Sequence, residues 1–178
     1  MSTIKVVQGN IAELNIECIV NSAKKTLGDG GGVCGAIYSA AGRFRLKLEC
    51  SKLKGCEVGQ AKITPGLKLH AKYIIHTVGP KLRDSGDVER KLIDCYINSL
   101  DLAKEYNIKE IAFPIISTGV HHFPLDKGVD IAVTAVEDWI DLNPDYKLDI
   151  VFCVDNSVSY DYCKDRVDKW NKPMIINK

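Results

Sequence analysis

The feature that most constrains the fold is an alternation of apolar, strand-like runs with amphipathic helical stretches along the chain. The runs at 18–20 and 148–154 are almost wholly apolar, as expected for strands covered on both faces. Further strands are predicted at 4–8, 60–64, 72–78, 110–116 and 173–176, and helices at 33–41, 43–54, 88–103, 129–140 and 158–170. This alternation predicts one α/β domain over 1–178, a three-layer α/β/α sandwich around a mostly parallel mixed sheet.

Charge and cysteine content narrow the class of protein. The 178 residues carry 24 Lys and Arg against 23 Asp and Glu, a net charge of +1. This balance argues against nucleic acid or an acidic membrane as a partner. No run reaches the roughly 18 apolar residues of a membrane span, and the N-terminus lacks a signal-peptide core. Seven cysteines without a CxxC pair indicate reduced, buried thiols and a cytoplasmic protein, rather than disulfides or a zinc site.

Three consecutive glycines, Gly30, Gly31 and Gly32, join the apolar run at 18–20 to a predicted helix that begins at Val33. Glycine tolerates positive φ and exposes its N–H, and the first N–H groups of a helix are unpaired and electropositive. Such a junction is typical of an anion site, most often a phosphate site. Glycine-rich turns also serve as plain connectors, so this loop alone leaves both readings open.

A second loop of similar character covers residues 116–121, with the sequence Ile-Ser-Thr-Gly-Val-His, and follows the apolar run 111–115. In an open α/β sheet, ligands bind where loops leave the carboxyl ends of the strands. We therefore expect the two loops to lie side by side and to present backbone N–H groups to one anionic ligand.

Six segments, taken in chain order, resemble the macrodomain family and together span nearly the whole chain. They are Gly9-Asn10-Ile11, 19–23, 30–37, Ala41-Gly42, 73–80 and 114–120. The resemblance is to the MacroD-like, O-acetyl-ADP-ribose deacetylase type. It implies a protein that binds ADP-ribose and hydrolyses ADP-ribose esters, either O-acetyl-ADP-ribose or mono-ADP-ribosylated protein side chains. The alternative is a reader module that binds ADP-ribose without chemistry.

The resemblance also implies a set of ligand-binding residues. Asn10 stands where the family usually has an Asp that accepts from the adenine amino group, and Ile11 beside it offers its backbone. The triglycine loop matches the distal ribose and α-phosphate side, the second loop matches the diphosphate, and Asn21 matches a partly structural Asn. The implied ligand-binding residues are Asn10, Ile11, Asn21, Gly30, Gly31, Gly32, Val33, Ile115, Ser117, Thr118, Gly119, Val120, His121, Val154 and Asp155.

Besides Asn10, four positions depart from the family pattern as the resemblance gives it. Lys24 replaces the second Asn of the hydrolytic members, and Cys34 replaces an Asp. His121 stands for the aromatic residue along the distal ribose, and His122 for the glycine after it. Because Lys24 offers only donors and a positive charge, we expect weakened hydrolysis with binding of the anionic diphosphate retained.

The adenine-stacking residue is also missing. Residues 154–156, at the end of the last long apolar run, are Val, Asp and Asn. Tyr160 is the nearest aromatic residue that could supply the missing face.

Lys24 and Cys34 are the two candidate catalytic residues. A desolvated Lys24 could attack the open-chain ribose aldehyde as an amine, whereas the simpler reading is a solvated lysine beside Lys25. Cys34, near a helix N-terminus, could be an activated thiolate, whereas the simpler reading is a small packing residue beside the ligand. In both cases the simpler reading is favoured.

The histidines indicate no metal or cofactor site. His76 lies inside an apolar strand and is interpreted as a hydrogen-bonded core residue, and His70 as a surface residue. Adjacent histidines at 121 and 122 point apart in an extended loop, without a carboxylate or Cys at ligand spacing. We expect no metal and no cofactor, ADP-ribose or ADP-ribosylated protein as the partner, and a monomer.

Overall fold

A six-stranded mixed sheet forms the centre of the protein, whose computed structural model describes residues 1–172. Its spatial order is β1-β6-β5-β2-β4-β3, and the four pairs from β1 to β4 are parallel, whereas edge strand β3 runs antiparallel to β4. The strands are β1 (Thr3–Gln8), β2 (Cys18–Ser22), β3 (Ala61–Pro65), β4 (Tyr73–Thr77), β5 (Glu110–Phe113) and β6 (Asp149–Val154). The mostly parallel mixed sheet predicted from the sequence is confirmed.

Within the described residues, five α-helices cover the two faces of the sheet. They are α1 (Gly32–Ala41), α2 (Arg43–Ser51), α3 (Val88–Glu105), α4 (Leu125–Leu142) and α5 (Ser157–Asn171). Side-chain caps begin two of them, since Asp87 accepts a hydrogen bond from Arg90 N at the start of α3 and Asn156 accepts one from Ser159 N at the start of α5. Gly42, with φ of 99°, ends α1 and separates it from α2.

Two separate apolar layers result, because successive strand residues point to opposite faces of the sheet. In β2, Cys18 and Val20 belong to the layer with α3, α4 and α5, whereas Ile19 belongs to the layer with α1 and α2. In β6, Phe152 packs into the first layer and Cys153 into the second. Burial on both faces explains why these strands are apolar throughout, and it confirms the three-layer sandwich.

Some predicted boundaries were wrong by a few residues. The run 110–116 forms a strand only as far as Phe113, because Pro114 lacks the N–H that would continue the ladder. Helix α2 ends at Ser51 rather than at residue 54. The predicted strand at 173–176 lies outside the described residues.

The histidine and the cysteines that the sequence predicts to be buried are buried in the structure. His76 is fully buried, and all seven cysteines are free and buried. Among the described helices, none has the length and apolar character to cross a membrane.

Candidate functional site

Two adjoining cavities open at the carboxyl ends of β1, β2, β5 and β6. The first has a volume of about 710 Å³ and the second about 400 Å³. They share six lining residues, of which Gly32 and Gly119 come from the two predicted loops; the six are Gly32, Val33, Pro114, Ile115, Gly119 and Asp155. The triglycine loop and the 116–121 loop therefore lie side by side, as the sequence predicts, and form one cleft.

The triglycine loop is held from behind by α1 and α2. Tyr38 donates its hydroxyl proton to the Leu27 carbonyl, and Leu27 is itself buried. Asp29 accepts hydrogen bonds from Arg43 and from Gly30 N, and the Arg43 guanidinium is the main reason that the pKa of Asp29 is lowered. These contacts join the loop to α1 and α2.

A close backbone approach makes Gly35 necessary in the first turn of α1. A Cβ at this position would lie 2.5 Å from the Gly30 carbonyl oxygen. Any larger side chain would push the loop away from the helix. The sequence Gly-Gly-Gly-Val-Cys-Gly thus supplies both the turn and the glycine against which the turn packs.

The N-terminus of α1 offers free hydrogen-bond donors to the cleft. Gly31 caps the helix without a side-chain hydrogen bond, and the first intrahelical bond runs from Gly35 N to Gly31 O at 3.2 Å. Within residues 1–172, the N–H groups of Gly32, Val33 and Cys34 have no partner. Unpaired donors at a helix N-terminus, where the helix dipole is positive, favour an anion.

The second loop is folded tightly by its own hydroxyl groups. Ser117 takes a left-handed conformation with φ of 68°, and its Oγ donates to the Pro80 carbonyl at 2.7 Å. Thr118 Oγ1 donates to the Ile115 carbonyl at 2.8 Å. Non-glycine residues adopt positive φ at a cost, so these bonds hold a conformation that the chain would otherwise avoid.

Two glycines outside the second loop let it pack closely. A Cβ on Gly79 would lie 2.4 Å from Ser117 Oγ, and one on Gly128 would lie 2.4 Å from Thr118 Cγ2. In the part of the chain that the structure describes, the N–H groups of Thr118, Gly119 and Val120 have no hydrogen-bond partner. The cleft thus receives a second set of free backbone donors.

The first cavity is mostly aliphatic and has no aromatic side chain among its lining residues. Nine of the predicted residues line it, namely Asn10, Ile11, Gly32, Val33, Ile115, Thr118, Gly119, Val154 and Asp155. Asn10 Oδ1 already accepts a hydrogen bond from Ala12 N at 3.0 Å, which leaves its second lone pair free. The predicted alternative, Tyr160, packs instead against the core and does not line this cavity.

Sequence reasoning missed several residues of the first cavity. They are Gly9, Ala36, Pro114, Leu125, Cys153, Asn156 and Ser159. Helical spacing was the signal for Ala36, since it lies one turn after Val33 on the same face of α1. For Asn156 and Ser159 the signal was the helix-cap pattern, which places the start of α5 at the edge of the first cavity.

Three of the four positions singled out above as departing from the family pattern lie at the second cavity, whereas His122 lines neither the first nor the second. Lys24, Cys34 and His121 all line the second cavity, together with the exposed Val120. Lys24 is exposed to solvent, so the dry surroundings needed for an amine nucleophile are missing. Burial raises the pKa of the Cys34 thiol, opposite to the direction that an activated thiolate requires.

A buried hydrogen-bond chain lies beneath the second cavity. Asn21 Nδ2 donates to His76 Nδ1 at 3.1 Å and to Cys34 Sγ at 3.8 Å. His76 Nε2 therefore carries the ring proton and donates to Thr64 Oγ1 at 2.9 Å. Burial lowers the pKa of His76 to about 4, which keeps the ring neutral.

Asn21 thus has a different place from that of the other predicted ligand-binding residues. It is buried, and it lines neither of the two cavities. Its Oδ1 has no partner within the described residues. The bracing part of its predicted role fits this position, because it joins β2 and β4 to the first turn of α1.

A mixed sheet with a backbone-lined cleft at its strand ends defines an α/β ligand-binding protein. The Macro domain family model matches residues 20–132, and the chain belongs to the macrodomain family. It is 41% identical over 169 residues to human ADP-ribose glycohydrolase MACROD2. This alignment covers 94% of this chain and 40% of that protein.

Two further comparisons agree with this membership. The uncharacterized protein FN1951 of Fusobacterium nucleatum is 44% identical over 168 residues, 93% of this chain and 95% of that one. The structure of the Trypanosoma brucei macrodomain in complex with ADP-ribose matches with a TM-score of 0.85 at 32% identity. That match covers 92% of this chain and 68% of the other.

Proposed function

We propose that this chain binds ADP-ribose along the cleft, with adenine in the first cavity and the distal ribose in the second. The observation that carries the proposal is the pair of free donor sets, one on α1 and one on the 116–121 loop, that face the same cleft. A diphosphate placed between them would accept hydrogen bonds from both sides. The relative crystallised with ADP-ribose has the same fold, which supports this choice of ligand.

Adenine would lie against aliphatic side chains rather than an aromatic ring. Ile11, Val33, Leu125 and Val154 supply apolar surface in the first cavity. The free lone pair of Asn10 Oδ1 would accept from the adenine amino group, without the added strength of a charged acceptor. Binding at this end therefore rests on shape and on one neutral hydrogen bond.

At the distal end the chemistry would be slow ester hydrolysis. Water adds to the ester carbonyl, the bond from the carbonyl carbon to the ribose oxygen breaks, and a carboxylic acid and a free ribose hydroxyl result. The loop donors and the diphosphate would position that water. Lys24, which has only donors, cannot accept a hydrogen bond from a ribose hydroxyl as an Asn does, so the ribose would be held less firmly.

A reader function without chemistry is the second candidate, and the same residues favour it. Neither Lys24 nor Cys34 is suited to act as a base, because the lysine side chain is exposed to solvent and burial raises the pKa of the thiol. A chain of this kind would hold ADP-ribosylated proteins without releasing them. We place both functions in a monomer of the cytoplasm, where seven free thiols stay reduced.

Calorimetry followed by an ester assay tests these proposals in order. Titration with ADP-ribose, with AMP and poly(A) as controls, is expected to give saturable binding of ADP-ribose alone at micromolar levels. O-acetyl-ADP-ribose and a mono-ADP-ribosylated acidic protein are then followed for loss of the ester. Measurable turnover supports the hydrolase, and binding without turnover supports the reader. A folded protein that ignores ADP-ribose at millimolar concentration contradicts both.

A further inference from the structure

A third cavity of about 510 Å³ adjoins the distal end of the cleft. Lys24 and His121 line both the second cavity and this one, so the two meet at these side chains. Its other lining residues are Lys25, Val58, Val78, Gly79, Lys81, Asp84, Ser85 and Lys91. A group attached to the distal ribose would therefore pass directly into this cavity.

The third cavity is strongly basic although the protein as a whole is nearly neutral. Four lysines line it against one carboxylate, whereas the whole chain carries a net charge of only +1. That carboxylate, Asp84, already accepts a hydrogen bond from the backbone N–H of Lys81 at 2.9 Å. Lys25 has a distant partner in Glu57 at 3.7 Å, with both side chains mostly exposed. The local excess of positive charge is thus left for a ligand.

We propose that the third cavity is a subsite for the acidic side chains that flank an ADP-ribosylated residue in a protein. This inference rests on the proposed ADP-ribose site. Lysine ammonium groups are flexible point charges, which suits carboxylates of varying spacing better than one fixed anion. The lining residues include no Phe, Tyr or Trp on which a base could stack, so a peptide fits better than a nucleic acid. The flanking sequence would then decide which modified proteins bind.

Each lysine contributes modestly, because exposed ion pairs are screened by water and salt. Lys81 and Lys91 are both exposed and line only the third cavity. Their combined effect is expected to be about threefold to tenfold in affinity, within the range of two exposed pairs. The effect should fade as ionic strength rises, since the Debye length shortens to about 3 Å at 1 M salt.

The test uses two peptides joined to ADP-ribose through a bond that water does not cleave, one flanked by Glu and the other by Gln. At low salt the wild-type chain should bind the Glu-flanked conjugate about threefold to tenfold more tightly. The variant K81Q/K91Q should bind both conjugates equally and keep its affinity for free ADP-ribose. The matched control K47Q/K147Q removes the same charge from exposed lysines outside the three cavities and should keep the preference.

Several results would overturn the subsite. Equal binding of the two conjugates by the wild type would do so, and so would an equal loss of preference in K47Q/K147Q, which would indicate a general charge effect. An ADP-ribose conjugate of an oligonucleotide that binds more tightly than the Glu peptide would assign the cavity to nucleic acid instead. If free ADP-ribose binds normally in these cases, the proposed function stands. If it does not bind at all, both proposals fail.

Discussion

The first and second cavities share a wall but are finished in different ways. The first ends in aliphatic side chains from several elements, among them Val33 of α1, Leu125 of α4 and Val154 of β6. The second ends in Lys24, Cys34 and His121, three of the positions where this chain departs from the family pattern. Backbone donors shape the shared middle, whereas departures from the family pattern fall at both ends, since Asn10 replaces the usual Asp in the first cavity. The comparison teaches that side chains at the two ends of the cleft can change while the backbone donors between them stay in place.

The largest expected effect concerns the buried chain beneath the second cavity. The pKa of His76 is about 4 in the folded protein and about 6.5 when unfolded, so the unfolded state binds more protons between these values. Its contribution to stability is complete above pH 6.5 and is lost as the pH falls toward 4. The free energy of unfolding should drop by up to about 3 kcal/mol across that window on this account.

Urea unfolding at several pH values measures this drop. The variant His76→Gln removes the titrating ring and should flatten the slope between pH 6.5 and 4. The control His70→Gln, at an exposed position, should keep the wild-type slope. Equal slopes in the two variants would mean that carboxylates, and not His76, set the acid sensitivity.

The second prediction tests whether ligand binding in the part of the cleft shared by the two cavities depends on the close contact between Gly35 and the triglycine loop. Gly35→Ala places a methyl group 2.5 Å from the Gly30 carbonyl oxygen, an overpacking that costs about 1–3 kcal/mol. ADP-ribose affinity should fall about tenfold to a hundredfold by calorimetry. Gly31→Ala adds the same methyl group where no atom lies within 4 Å, and should cost at most about threefold. Equal losses would show that the loop is not positioned by Gly35.

The third prediction concerns the distal end alone. Lys24→Asn supplies a neutral group that both donates and accepts, and ester turnover should rise about tenfold, with ADP-ribose affinity falling no more than about threefold. Lys24→Ala should leave turnover unchanged or slightly improved. Loss of all turnover in Lys24→Ala would instead restore the lysine as a nucleophile. The rate of acetate release from O-acetyl-ADP-ribose measures ester turnover in the wild type and in the two Lys24 variants.

Most of the fold could be predicted from the sequence because strands buried on both faces consist almost wholly of apolar residues. The runs at 18–20 and 148–154 are apolar at every position except Asp149, and both are covered on two faces in the structure. Boundaries were less certain, since the run 110–116 continues apolar past Phe113 after the strand has ended. Periodicity reports burial, and a buried loop can be as apolar as a strand.

The site was predictable where the backbone forms it and less so where side chains do. The two glycine-containing loops carry their own signal, and the structure brings them together. The third cavity had no such signal, because Lys24, Lys81 and Lys91 come from three separate segments that only the fold brings together. The position of Asn21 behind the cleft also depends on a contact, its hydrogen bond to His76.

The smallest expected effect is at Cys34, whose thiol is close to the proposed ribose site yet lacks the features of a nucleophile. Its Sγ donates to the Gly28 carbonyl at 3.5 Å, and burial raises its pKa, so little thiolate exists at pH 7. Cys34→Ser keeps a donor of similar size and should change ester turnover by less than about twofold, a difference under 0.5 kcal/mol. Iodoacetamide should act slowly on the wild type and leave turnover intact over the assay. Rapid inactivation with one alkyl group per chain, abolished in Cys34→Ser, would instead make this thiol part of the chemistry and reverse the contrast between the two ends of the cleft.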